Sequence, residues 1–304
     1  MARGADDGYQ SPLLIGLKSS EDAARLAEEL AFATHRLDRL EHDPPGLYRD
    51  VADAGADIEE RSWLAFLIAY LCPLGVAGED GGVGVAGGDG GVGVAGGDGD
   101  GGIGGAGDGK GAPQSAGEDP FAEIERVRTS WASGELPSLD GVRLGPRSAH
   151  DPARGTKTLE AYRTWAARAG SQAAAYTGDV AWPPERRFAR AFERLALPGL
   201  HRDARFDLLV TLGRLGVYDM RAGSLALGGV NDVTVGAKRA FGIGDPLLLD
   251  RRASDLARAC DIPLEALDLG LHNWQRGERA TLGLGADAEP EPEVLSAIRG
   301  ALGL

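Results

Sequence analysis

The stretch from residue 75 to residue 118 most limits what this chain can fold into. It holds 21 of the 47 glycines, with seven acidic residues and a single lysine. Such a segment has little apolar surface to bury and a large backbone entropy to lose on ordering. It opens with a period of nine, Gly78–Ala86 followed by a near copy at Gly87–Ala95, and then degenerates. A nonapeptide Gly/Asp repeat is similar to calcium-binding β-rolls. Those rolls need aspartates and a large apolar residue at set offsets, whereas here the apolar positions are Val or Ile and the second copy holds one Asp. The expectation is therefore a disordered Gly/Asp-rich insertion, and a core has to come from the remaining 260 or so of the 304 residues.

Outside the insertion the pattern is helical. Ser19 or Ser20 can cap a helix that starts with Glu21 and Asp22, acids placed at the positive end of the helix dipole. Apolar residues then recur at spacings of three and four from Ala23 to Leu40, and Pro44-Pro45-Gly46 ends the run. A short helix over residues 47–54 follows. Residues 58–71 form an almost wholly apolar helix that stops at Pro73, as expected of a helix buried on all sides. After the insertion, Asp119-Pro120 is a helix start. Residues 134–155 read as loop, 158–169 as a helix, and Pro183-Pro184 as the lead into another. The only strand-like fragment is 224–227. The fold class expected is all-α. The parts are N-terminal helices at 1–74, the insertion at 75–118, a main helical domain at 119–282 and a tail with a short helix at 283–304.

The polar, acidic opening Met1–Asp7 does not read as a signal peptide, and the longest apolar run, Trp63–Leu74, is well short of the ~20 residues of a membrane span. Cys72 and Cys260 lie far apart in apolar stretches, which suits buried thiols of a reducing, cytoplasmic compartment. The net charge of −14 argues against indiscriminate DNA binding, but it is uneven. The insertion alone carries −6, while residues 185–279 carry +2. Only four of the 32 basic residues are lysines. Arginine suits phosphate forks, and arginine dominance also arises from a GC-rich coding sequence. Walker, HExxH, GxSxG and zinc-deaminase signatures are absent, so no metal or cofactor is expected.

Two places have the layout of a helix–hairpin–helix. One is Leu197-Pro198-Gly199-Leu200 leading into an apolar helix; the other is Gly242-Ile243-Gly244 leading to Asp245 and a second helix. Glycines allow the tight turn, and the amides opening the next helix can face a phosphate. The second hairpin has glycines at alternate positions and is flanked by Lys238, Arg239, Arg251 and Arg252. Asp245 is placed to cap the helix that follows, which would weaken an anion site there. Packing for stability alone is the competing explanation for both.

Over residues 185–275 this arrangement resembles the helix–hairpin–helix (HhH-GPD) DNA glycosylase-like superfamily, including its thymine-modifying, glutamyl/putrescinyl thymine pyrophosphorylase-like branch. The first hairpin departs from the family's Leu-Pro-Gly-Val-Gly by ending in Leu200-His201, and Asp203 stands where some members carry a lyase lysine. The resemblance implies a glycosylase-like helical bundle and a DNA-directed protein acting on a flipped or modified base without lyase chemistry. It implies Gly242 and Gly244 as a phosphate cradle, Lys238, Arg239, Arg251 and Arg252 as phosphate contacts, and Asp250 as the carboxylate. His272, in the polar cluster His272-Asn273-Trp274-Gln275, is a candidate general acid or base, and Trp63, Tyr70, Trp131, Trp165, Trp182 and Trp274 are candidate stacking faces. The alternative is a non-catalytic helical scaffold or interaction module.

Overall fold

The structure, a computed structural model, describes residues 4–73, 119–285 and 288–304. The expected insertion at 75–118 lies outside the described residues. Among the described residues the protein is all-α, with twelve α-helices, one 3-10 turn and no strand. The first three helices are α1 (Ser20–His42), α2 (Tyr48–Ala52) and α3 (Ile58–Leu71). They are followed by α4 (Ala122–Val127), α5 (Lys157–Ala169), α6 (Gln172–Thr177), α7 (Pro184–Arg194) and α8 (Arg202–Arg214). The last four are α9 (Asp232–Phe241), α10 (Pro246–Ala259), α11 (Ala266–Arg276) and α12 (Pro292–Leu302).

Local capping chemistry sets many of the helix starts. The Ser19 hydroxyl accepts from the Asp22 amide, and the Asp57 carboxylate accepts from the amides of Glu59 and Glu60. Ser171 caps α6 through the Ala174 amide, and Asp245 caps α10 through those of Leu247 and Leu248. Each cap satisfies an amide that the helix itself leaves without a partner.

Helix α3 is the axis of the core. All residues from Arg61 to Leu71 are buried, because α2, α4, α6 and α8 pack around it. Helix α1 lies across α11, α12 and α8, so the N-terminal helices share one core with the helices beyond residue 119. Buried aromatic groups tie distant segments together. The Tyr9 hydroxyl donates to the Leu302 carbonyl at 2.6 Å, that of Tyr48 to Leu282 at 3.0 Å, and the Trp274 indole to Asp22 at 2.9 Å.

The fragment 224–227 is not a strand. It is an irregular loop, with Ala226 at φ +50°, fastened by side chains: the Leu225 amide donates to Asp250 at 3.1 Å and the Arg202 guanidinium donates to the Leu225 carbonyl. Alternating apolar residues there serve loop packing, with Leu225 and Leu227 both buried. Helix α4 ends at Val127, so Trp131 lies beyond it.

Candidate functional site

The site begins at the C-terminus of α3, whose last carbonyls lack intrahelical partners. The segment 145–149 supplies them. The Ala149 amide donates to the Tyr70 carbonyl at 2.9 Å, the Ser148 hydroxyl to the same oxygen at 3.0 Å, and the Gly145 amide reaches the Leu71 carbonyl at 3.4 Å. Gly145 is required by this approach, since a Cβ there would sit 2.1 Å from the Cys72 carbonyl oxygen. Docked in this way, the segment drives Arg147 inward until its side chain is fully covered.

Two helices turn carboxylates toward that guanidinium. Asp203 and Asp207 are one turn apart on α8; Asp268 and His272 are one turn apart on α11. Residues at that spacing share a helix face. Arg147 binds Asp207 through two contacts, Nε to Oδ2 at 2.8 Å and Nη2 to Oδ1 at 3.0 Å, and its Nη2 also donates to Asp268 at 2.6 Å. Arg202 pairs with Asp203 at 3.1 Å and with Asp268. Burial pushes the Asp207 carboxyl up, and the nearby Asp268 charge adds to that; Arg147 and Arg36 pull the other way without cancelling it. Burial acts on Asp203 in the same direction. There Arg147, the adjacent His272 ring and Arg202 prevail and hold the carboxyl well below the ordinary range.

Beside this cluster opens a cleft of about 410 Å³. Its walls are Pro146–Ser148, the start of α8 (His201, Arg202, Asp203), the loop Gly228–Asp232 that leads into α9, and His272. The volume lies within the range of small-molecule sites. The starts of α8 and α9 differ. Asn231 caps α9 by accepting from the Thr234 amide at 2.9 Å. His201, the residue before α8, makes no side-chain cap. His272 is 2% exposed, and neither ring nitrogen has a hydrogen-bond partner among the described residues. Its Nδ1 lies 3.4 Å from Asp203 Oδ2, a close approach rather than a formed hydrogen bond.

The two hairpins thus have different surroundings. The first, Leu197–Leu200, has Gly199 at φ +82° and runs through His201 into the cleft wall. In the second, Gly242 sits at φ +66° as the left-handed cap of α9, and its amide donates to the Lys238 carbonyl at 2.9 Å. The N-terminal segment crosses it closely, with the Gly16 amide bonded to the Ala240 carbonyl at 3.0 Å. Gly244 is exposed, Asp245 occupies the amides of Leu247 and Leu248, and Pro246 has no amide hydrogen to offer.

The flanking basic residues divide in the same way. Arg239 is ion-paired to Asp22 at 2.7 Å and lies over the Trp274 ring. Arg252 reaches the Pro12 carbonyl at 3.4 Å, while Lys238 and Arg251 are exposed. Asp250 is half-buried, and its carboxyl is raised by that burial against the hydrogen bonds it accepts from the 225–227 loop. It does not line the cleft with His272. Of the candidate stacking rings, Trp63, Tyr70 and Trp274 are core. Among the described residues no Phe, Tyr or Trp side chain lines the cleft.

His272 is the one sequence candidate that the structure brings to the cleft. Arg147, Arg202, Asp207 and Asp268 belong to no motif that marks them in the sequence. A weak signal existed for the α11 pair, since Asp268 is the one polar position between Ala266 and Leu271 and His272 lies one turn beyond it. Comparison with protein-family models, with curated proteins and with solved structures finds no match for the chain. No helix among the described residues is long and apolar enough to cross a membrane.

Proposed function

We propose that the protein is DNA-directed and meets DNA at its first hairpin, where the turn Leu197–Leu200 delivers the start of α8 to the polar cleft. The observation that carries this reading is the juxtaposition, at one cleft, of an uncapped helix start with a buried His272 whose ring nitrogens make no hydrogen bond among the described residues. Helix N-termini favour phosphate, because their amides point outward and the dipole is positive there. A phosphodiester held at His201 places the adjoining nucleotide over the cleft. With no Phe, Tyr or Trp ring in the lining, that nucleotide is held by its hydrogen-bonding edge. Base chemistry is the finer form of the reading. What supports it is His272 beside the ionised Asp203; Asp250 is committed to the Leu225 amide.

The competing reading, a non-catalytic scaffold, draws on the ion pairs that occupy Arg147, Arg202 and Arg239. Fluorescence anisotropy of a labelled 20-mer duplex at 20 mM salt separates the two. Wild type should bind, and His201→Glu, an exposed change that puts a carboxylate at the start of α8, should weaken binding at least tenfold. Absence of binding by wild type, or equal affinity of the variant, would exclude the proposal.

A further inference from the structure

Helix α7 uses its arginines in two ways. Arg187 points inward and is 7% exposed, donating to the carbonyls of Thr177 and Trp182, each at 3.1 Å, and pairing with Asp219 at 3.2 Å. It thereby fixes the loop that carries Trp182. Arg186, Arg190 and Arg194 are spaced four residues apart on a different face and are exposed. Trp182 lies beside them, half-buried, with Arg186 and Arg194 guanidinium carbons 5.3 and 5.7 Å from its ring centroid. Gly178 lets the indole lie this close to the chain, since a Cβ there would come within 2.7 Å of the ring.

Little acid offsets this stripe. Glu185 is engaged with Arg221 at 2.6 Å, and Arg190 shares only an exposed contact with Glu193 at 2.9 Å, a pair of the kind that contributes little. Arg186 and Arg194 have no carboxylate partner among the described residues. From residue 185 to 205 the chain carries six arginines against three acids, within a molecule of net charge −14. The stripe also runs toward the first hairpin, which begins three residues after Arg194.

We infer that the outer face of α7, formed by Arg186, Arg190, Arg194 and Trp182, is a binding track for the sugar–phosphate backbone of one DNA strand. This inference rests on the DNA-directed reading and names its docking surface. Eight residues of helix span about 12 Å, and one strand of duplex carries a phosphate about every 3.4 Å along the axis, so the stripe faces about three phosphates. Neutralising three phosphates contributes about −2.7 to the slope of log affinity against log salt, equivalent to about 40-fold between 50 and 200 mM.

The test measures that slope for the full chain on a 20-mer duplex. Circular dichroism first establishes that the triple variant Arg186→Gln/Arg190→Gln/Arg194→Gln is folded; its exposed positions make loss of folding unexpected. Single Arg186→Gln and Arg194→Gln variants provide the same reading in smaller steps, about 1 unit of slope each. The triple variant should flatten the slope by about 2–3, while Lys238→Gln/Arg251→Gln at the second hairpin should leave it unchanged. A triple variant with the wild-type slope overturns the track and leaves the hairpin reading standing. Loss of slope in the triple variant, with His201→Glu binding as wild type, supports the track and removes the hairpin reading. Failure of wild type to bind DNA removes both.

Discussion

Replacing Arg147 by Met tests whether the buried cluster is what holds the cleft wall in place. Met keeps most of the side-chain volume and removes the charge, so the change isolates the ion pairs. The fully covered guanidinium makes the bidentate contact with Asp207 and the 2.6 Å bond to Asp268. Its removal leaves Asp207 buried with only Arg36 nearby, while Asp268 keeps Arg202. Stranding one member of a buried pair costs about 3–5 kcal/mol. For a chain with this many ordered residues that lowers the melting temperature by about 6–20 °C at pH 7. The pH dependence follows from the sign of the shift. Asp207 already has its folded pKa raised above the ordinary 3.8, and losing Arg147 raises it further. A group of this kind is penalised as pH rises from its unfolded pKa through its folded one, and is not penalised below the unfolded value. The gap between variant and wild type should therefore be widest at neutral pH and narrow toward pH 4. The depressed Asp203 contributes stability that is full above its unfolded pKa and is lost only as pH falls below that value, so it leaves the gap unchanged over the assayed range. Thermal unfolding by circular dichroism from pH 4.5 to 8 measures this. Adding Asp207→Leu to Arg147→Met should recover at least half the loss, since the pair is then replaced by apolar groups. A pH-independent gap, or one below about 3 °C at pH 7, would refute the reasoning.

Two further outcomes follow from the same region and from the core. Gly145→Ala should lower the urea midpoint by the equivalent of about 1–3 kcal/mol, because the added methyl meets the Cys72 carbonyl, a backbone atom that cannot swing aside; an unchanged midpoint would mean that segment 145–149 is not tightly docked. Burial pushes the Cys72 thiol up to about 12 and that of Cys260 up to about 11, so neither should react with a disulfide reagent at pH 8 until the protein unfolds. Rapid labelling of the native protein would contradict their burial.

How far the sequence reveals this protein depends on the range over which each feature is determined. Capping is a matter of three residues, and Ser19 and Asp245 each cap the helix start that their positions announce. The burial of α3 is equally local, since a run with no polar face leaves a helix no side to turn to water. The cluster at the cleft has no such local mark. Arg147 sits in a Gly/Pro-rich loop, and its partners Asp207 and Asp268 lie 60 and 121 residues further along. Only the docking of 145–149 onto the exposed carbonyls of α3 makes that arginine central. The hairpins carry the same lesson in reverse. Glycines at 242 and 244 make the second turn look the better phosphate cradle, because the motif cannot show where each amide is used. Gly242 ends α9 and carries the crossing of Gly16, and Asp245 takes the amides that open α10. The first hairpin, with one glycine fewer and a histidine in its place, leaves its helix start uncapped beside His272. In a helical protein a turn motif fixes the path of the chain, and the competing partners of its amides decide whether that turn can hold an anion.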